Sequence, residues 1–254
     1  MIIHALVNSL PEGCSRIFLL SHMRAFTSLA GHIIGSHPEV NGYFEMHLSY
    51  EDASSFDKQL DIFLQGEALK VNSRYLFDKL LHNDYLLKLE QGSITNIPEV
   101  KILLSLREPE PTIKSIVNLF AQKQTDELYA SPVEATKYYI ERVTALADFC
   151  RTCRQGYYFF DAAMLQTAPE VLLPKLTHWL ELDTPLTESY EIFSQTGEAG
   201  KGDSSSIIQS GKISQTKNDY SQIRIPDEQL SDAIHVYHDC RRQIMGDAID
   251  SAIN

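Results

Sequence analysis

The stretch that most constrains this chain is Arg16 to Glu45. In it an apolar run, Ile17 to Leu20, meets a polar turn, Ser21-His22-Met23-Arg24, followed by Thr27, Ser28, Leu29, Ile33 and Ile34 at helical spacing. This reads as strand, turn, helix. A turn between a strand and a helix gathers backbone N–H groups and the positive end of a helix dipole at one point, where an anion can be held. Arg24 and the hydroxyls of Thr27 and Ser28 add charge and donors there. The expectation is a phosphate-binding turn.

Composition limits which anions are in question. The 254 residues carry 22 Lys and Arg against 34 Asp and Glu, a formal charge of −12. Sequence-independent attraction to nucleic acid or to an anionic membrane needs the opposite balance, so an anion must be bound by a local pocket. The chain shows no basic, apolar leader and no run approaching the ~20 apolar residues of a membrane span, and a cytoplasmic location is the expectation. Four scattered cysteines do not form a disulfide framework, and the Cys150/Cys153 pair falls inside a helical pattern. The nine histidines show no metal-ligand spacing, and no metal is expected.

Further strands are expected at Val40–Phe44, Arg74–Asp78, Lys101–Leu106 and Tyr157–Phe160, the last ending at Asp161. Helical periods cover Glu51–Gln65, a segment with Pro111 in its first turn that continues through Phe120, Pro132–Arg154, Pro169–Leu182 and Asp227–Ile253. The segment Gln195–Asn218, rich in Gly, Ser and Lys, reads as a flexible loop. Alternating strands and helices with no internal repeat and no boundary predict one α/β domain over residues 1–254. Its three layers would be a mostly parallel central sheet flanked by helices, with ligands beyond the strand C-termini. The candidate residues cluster at that edge: Arg24, Thr27 and Ser28 after the first strand, Lys79 and His82 after another, and Arg107 with Ser115 around the strongest. A Walker A loop is not among them, because no glycine lies between Arg16 and Gly31, and Phe26 stands where a glycine is expected.

Several of these segments together resemble the sulfotransferases that use 3′-phosphoadenosine 5′-phosphosulfate (PAPS). RAFTSLAGHIIGSHPEV resembles their 5′-phosphosulfate loop, and LREPEPTIKSIVNLF resembles the segment that holds the 3′-phosphate, with Arg107 and Ser115 at the family's spacing. FDKLLHNDY is similar to the Lys-bearing segment of heparan-type members, and Glu45-Met46-His47 to their Glu-x-His element. FFDAAMLQTAPEVLLPKLTHWLEL looks like a later strand and helix of bacterial members, and GKGDSSSIIQSGKI like a cofactor-covering loop.

The resemblance implies a sulfotransferase fold, related to that of P-loop nucleotide hydrolases, and PAPS as donor without a metal. It implies that Arg24, Ala25, Phe26, Thr27 and Ser28 hold the 5′-phosphosulfate, that Arg107 and Ser115 hold the 3′-phosphate, and that Lys201 and Gly202, with Lys212, close over the nucleotide. For the transfer it implies Glu45 as base, His47 to orient or replace it, Lys79 to stabilise the transferring oxygens, and Arg24 beside them. The acceptor class is a hydroxyl on a small molecule, lipid or sugar. A highly sulfated polymer fits the acidic composition poorly. Two other readings stay open: a P-loop-like kinase or phosphotransferase, with Asp161 as its acidic strand end, and a non-catalytic nucleotide-binding protein that keeps the fold.

Overall fold

A computed structural model describes residues 14–88, 99–122, 128–194, 196–197, 207–215 and 219–253. The apolar run after Cys14 forms strand β1 (Ser15–Leu20), buried along its whole length. A strand without polar alternation needs cover on both faces, and β1 has it. Phe18 and Leu20 point into a core shared with α3 (Pro109–Ala121), α4 (Pro132–Thr152) and α7 (Asp227–Asp247). Ile17 and Leu19 point into a second core with α1 (Thr27–Gly35) and α6 (Pro169–Trp179). Helices on both sides of one sheet make the three layers expected.

The sheet runs β2-β3-β1-β4-β5-β6 and every pairing in it is parallel. The remaining strands are β2 (Val40–Asn41), β3 (Tyr75–Leu80), β4 (Val100–Leu106), β5 (Tyr158–Asp161) and β6 (Asp250–Ala252). Two further helices are α2 (Ala53–Leu64) and α5 (Met164–Thr167). Past β1 the chain runs to one side of the sheet, through β2 and back to β3. It then crosses β1 to continue with β4, β5 and β6 on the other side. The crevice beyond β1 and β4 is where strand order reverses, the place at which open α/β sheets hold ligands.

Three boundaries differ from the sequence reading. The second strand stops at Asn41, because Gly42 takes a φ of +85° and turns the chain away. Strand β3 continues through Lys79 to Leu80, so that lysine is part of the strand and is buried, not beyond its mouth. Helix α3 begins at Pro109 and holds Pro111 in its first turn, as expected. The last helix ends at Asp247, and the residues after it become the edge strand β6, with Ile249 N donating to Tyr157 O. Asp250-Ser251-Ala252 has no strand propensity of its own, so pairing with β5 decides its conformation. In the segment read as a loop, the described part holds a helical turn at Ile208–Ser210, and Ile208 is buried in the second core.

Candidate functional site

The turn between β1 and α1 is built on two residues with left-handed backbone, Arg24 (φ 61°) and Phe26 (φ 56°). An L-residue in this region costs about 1–2 kcal/mol, so the loop keeps its shape against a local penalty. The N-cap residue of α1, Phe26, makes no side-chain capping bond, which leaves the first-turn amides, with the dipole behind them, uncapped from that position. Thr27 and Ala25 are buried, and Ser28 Oγ accepts from Lys79 Nζ at 3.5 Å. The loop residues and the β3 lysine thus meet, as their strand-end positions suggest.

From the neighbouring strand, Arg107 and Ser115 come to the same place. Arg24 Nε donates to Ser115 Oγ (2.9 Å), and Arg107 Nη1 donates to the Arg24 carbonyl (2.8 Å). Ser115 Oγ also accepts from Tyr220 OH at 3.2 Å. Arg24, expected on the 5′-phosphosulfate side, therefore reaches the residue expected at the 3′-phosphate, and the two candidate turns form one cluster. The Arg107 guanidinium centre lies 4.3 Å from the centroid of the Phe26 ring. Among the described residues no carboxylate pairs with Arg107, and burial, with Arg24 nearby, pulls its pKa down to about 10. It stays charged at neutral pH, desolvated beside a second cation, which favours an incoming anion.

Two residues given no role in the sequence reading hold this cluster. His22 is fully buried. Its Nε2 accepts from the Arg107 backbone N–H (3.0 Å), so its Nδ1 carries the proton and donates to Met23 O (2.9 Å). Tyr139 OH donates to Arg107 O at 2.7 Å, its ring edge-on to His22. Arg107 is thereby gripped at both backbone polar groups, one from each side. Tyr138 ties the same turn to the end of β3, accepting from Met23 N and donating to Leu81 O, both at 2.8 Å.

The other half of the site lies at the end of β3. Glu45 is largely buried, its Oε1 has no hydrogen-bond partner among the described residues, and that oxygen is 3.8 Å from His47 Nδ1. His47 is half-exposed with a φ of 54°. His82 is held below its ordinary pKa by burial, which keeps the imidazole neutral. Beneath them, the fully buried Asp78 accepts at Oδ1 from Met46 N (2.9 Å) and Lys79 N (2.7 Å), and at Oδ2 from Tyr50 OH (2.5 Å). This fixes the Glu45-Met46-His47 segment against β3. Arg142 closes the back: its guanidinium donates to Ser21 O (2.8 Å), Leu80 O (2.6 Å), His82 O (3.3 Å) and Asn83 Oδ1 (3.0 Å). Asp78, Tyr50 and Arg142 escaped sequence reading because, apart from the adjacent Lys79 amide, their partners lie 28 to 121 positions away. The one signal was a polar trio, Tyr138, Tyr139 and Arg142, on the buried face of a helix.

Burial raises the Asp78 pKa from 3.8 to about 7. A carboxyl that is harder to ionise when folded adds stability that is whole below pH ~4 and is lost as pH rises toward 7, at about 1.4 kcal/mol per unit. Asp78→Asn keeps an acceptor for both backbone amides and cannot ionise. Its thermal midpoint relative to the native protein is expected to climb between pH 4 and 7 and to level off above. A difference that stays flat across that range would show Asp78 ionised in the folded protein throughout.

A cavity of about 520 Å³ opens beside the cluster, lined by Phe26, Arg107, Pro111, Gln166, Tyr237 and Arg241 among others. At its wall, both carboxylate oxygens of Asp161 accept from Arg241, Nε at 2.8 Å and Nη2 at 2.5 Å. The acidic strand end that a metal-dependent phosphotransferase would use is engaged by arginine. Among the described residues no group of three or more His, Cys, Asp or Glu could hold a metal, and no helix is long and apolar enough to cross a membrane. Lys201 and Gly202 lie outside the described residues. Lys212 is exposed and pairs through its backbone with Ser189.

No family model matches the sequence, and no curated protein does. Solved structures do match. The sulfotransferase domain from the curacin biosynthetic pathway aligns with a TM-score of 0.56 at 14% identity, over 89% of this chain and 97% of that one. The sulfotransferase domain from the Synechococcus PCC 7002 olefin synthase gives 0.57 at 16%, over 88% and 94%. Mouse sulfotransferase SULT7A1, complexed with PAP, gives 0.52 at 14%, over 90% and 85%. At such identities the likeness is one of architecture, and the architecture of this chain is the sulfotransferase fold.

Proposed function

We propose that this protein transfers a sulfuryl group from PAPS to a hydroxyl of a small molecule, lipid or sugar. The observation that carries the reading is the chain of contacts from Arg107 to the Arg24 carbonyl and from Arg24 to Ser115, two cations from different strand ends in one cluster, with Arg107 lining the cavity beside it. A nucleotide phosphorylated at both 5′ and 3′ positions matches two anion-binding turns so placed, whereas ATP carries no 3′-phosphate. The likeness to a sulfotransferase solved with PAP supports the same ligand class.

In this reading Arg107 and Ser115 hold the 3′-phosphate. Thr27, Ser28, Lys79 and the uncapped amides of α1 hold the 5′ end, with Arg24 between the two. The donor supplies a sulfuryl group activated by its anhydride bond. Lys79 neutralises charge on the oxygens in transit. Glu45 Oε1, buried and without a partner, takes the proton of the acceptor hydroxyl, and Asp78 holds its segment in place.

Thermal shift tests the ligand class. Adenosine 3′,5′-bisphosphate is expected to raise the midpoint more than ATP with Mg²⁺ does. Arg107→Ala is expected to weaken bisphosphate binding about 10- to 100-fold, as for loss of a charge-assisted phosphate contact, and to leave adenosine 5′-monophosphate near its native affinity. A preference for ATP would overturn the assignment.

A further inference from the structure

Phe26 stands at a turn position where glycine would be unstrained, and it keeps a left-handed backbone to do so. Strain of this kind persists where the side chain has a task the surroundings enforce. The ring packs against the second core and lines the cavity, with the Arg107 guanidinium 4.3 Å from its centroid. A ring at that distance attracts the cation and fixes the plane in which its N–H fork lies.

The remaining contacts of Arg107 do not set that plane. Its backbone is gripped by His22 and Tyr139, which places the Cα. Its one side-chain hydrogen bond among the described residues, Nη1 to Arg24 O, leaves rotation about that donor open. Planar, two-pronged recognition of a phosphate requires the fork to be aimed beforehand.

We propose that Phe26 is a positioning residue for Arg107: an aromatic platform, in a place suited to glycine, that aims the guanidinium fork at the 3′-phosphate of the nucleotide. This rests on the sulfotransferase reading. The bulky ring keeps the turn's backbone from wrapping closely round the 5′ end, so discrimination shifts toward the 3′ end. The ratio of affinities for adenosine 3′,5′-bisphosphate and adenosine 5′-monophosphate is the quantity Phe26 controls.

That ratio, measured by titration calorimetry, is expected to fall about 5- to 30-fold in Phe26→Leu, which fills the space without a π face, and in Phe26→Gly, which relieves the backbone. Phe26→Tyr is expected to restore it. A role in packing alone would leave the ratio unchanged, or would preserve it in Phe26→Leu, and either result overturns the proposal. A second measurement needs no nucleotide: ¹⁵N spectra of the arginine side chains are expected to show slow rotation of the Arg107 guanidinium in the native protein and Phe26→Tyr, and fast rotation in the other two. Fast rotation in the native protein refutes the platform. A native protein that shows slow rotation but does not prefer the bisphosphate refutes the sulfotransferase reading and leaves the platform standing.

Discussion

Replacing Glu45 with glutamine is expected to lower kcat about 10²- to 10⁴-fold, the range for loss of a positioned general base. The affinity for adenosine 3′,5′-bisphosphate should remain native. The assay is sulfuryl transfer from PAPS to an acceptor drawn from a panel of hydroxyl compounds. Glutamine matches the carboxylate in shape, so Asp78 still holds the Met46 amide and only the proton-accepting oxygen is lost. A buried carboxylate oxygen with no donor, 3.8 Å from a histidine at a strand end, is an arrangement that a purely structural acid seldom keeps. Should the variant transfer at the native rate, the base is elsewhere, and His47 and His82 become the candidates.

Acid is the second lever. Burial, with Arg107 and Arg142 facing the ring, lowers the His22 pKa from 6.5 to about 3. The folded state then prefers the neutral imidazole. Its contribution is whole above pH ~6.5 and is lost as pH falls toward 3, by about 1.4 kcal/mol per unit. Protonation also removes the Nε2 lone pair that accepts the Arg107 amide. Stability measured by urea titration is therefore expected to drop steeply below pH 6 in the native protein and less steeply in His22→Gln, whose amide oxygen can accept the same bond without titrating. Matching slopes in the two proteins would place the acid sensitivity elsewhere. Arg107, Arg142 and Tyr139 face the ring, and all keep one charge state over this range.

What the sequence disclosed was the material that lies in local pattern. The apolar runs became β1, β3, β4 and β5, and the eight-residue step from Arg107 to Ser115 placed both at the cluster. Lys79 lies inside β3 rather than just past its end as expected, yet still reaches Ser28. Other features depend on contacts that no window of sequence contains. β6 exists because β5 offers an edge. Phe26 tolerates its backbone because Arg107 lies over it, a residue brought close only by the pairing of β1 with β4. Asp78, His22 and Arg142 look like ordinary polar residues until the fold closes round them.

Arg142 carries a consequence for how the site comes into being. Its guanidinium receives the carbonyl ends of β1 and β3 from the middle of α4, 121 residues after Ser21 and 62 after Leu80. Every motif residue of both candidate turns has been synthesised by residue 115, but Arg142, which clamps these carbonyls together, follows more than twenty residues later. A fragment ending after α3 would thus contain the motifs and lack the clamp. In the proposed reading, the nucleotide site is completed during synthesis by the arrival of α4.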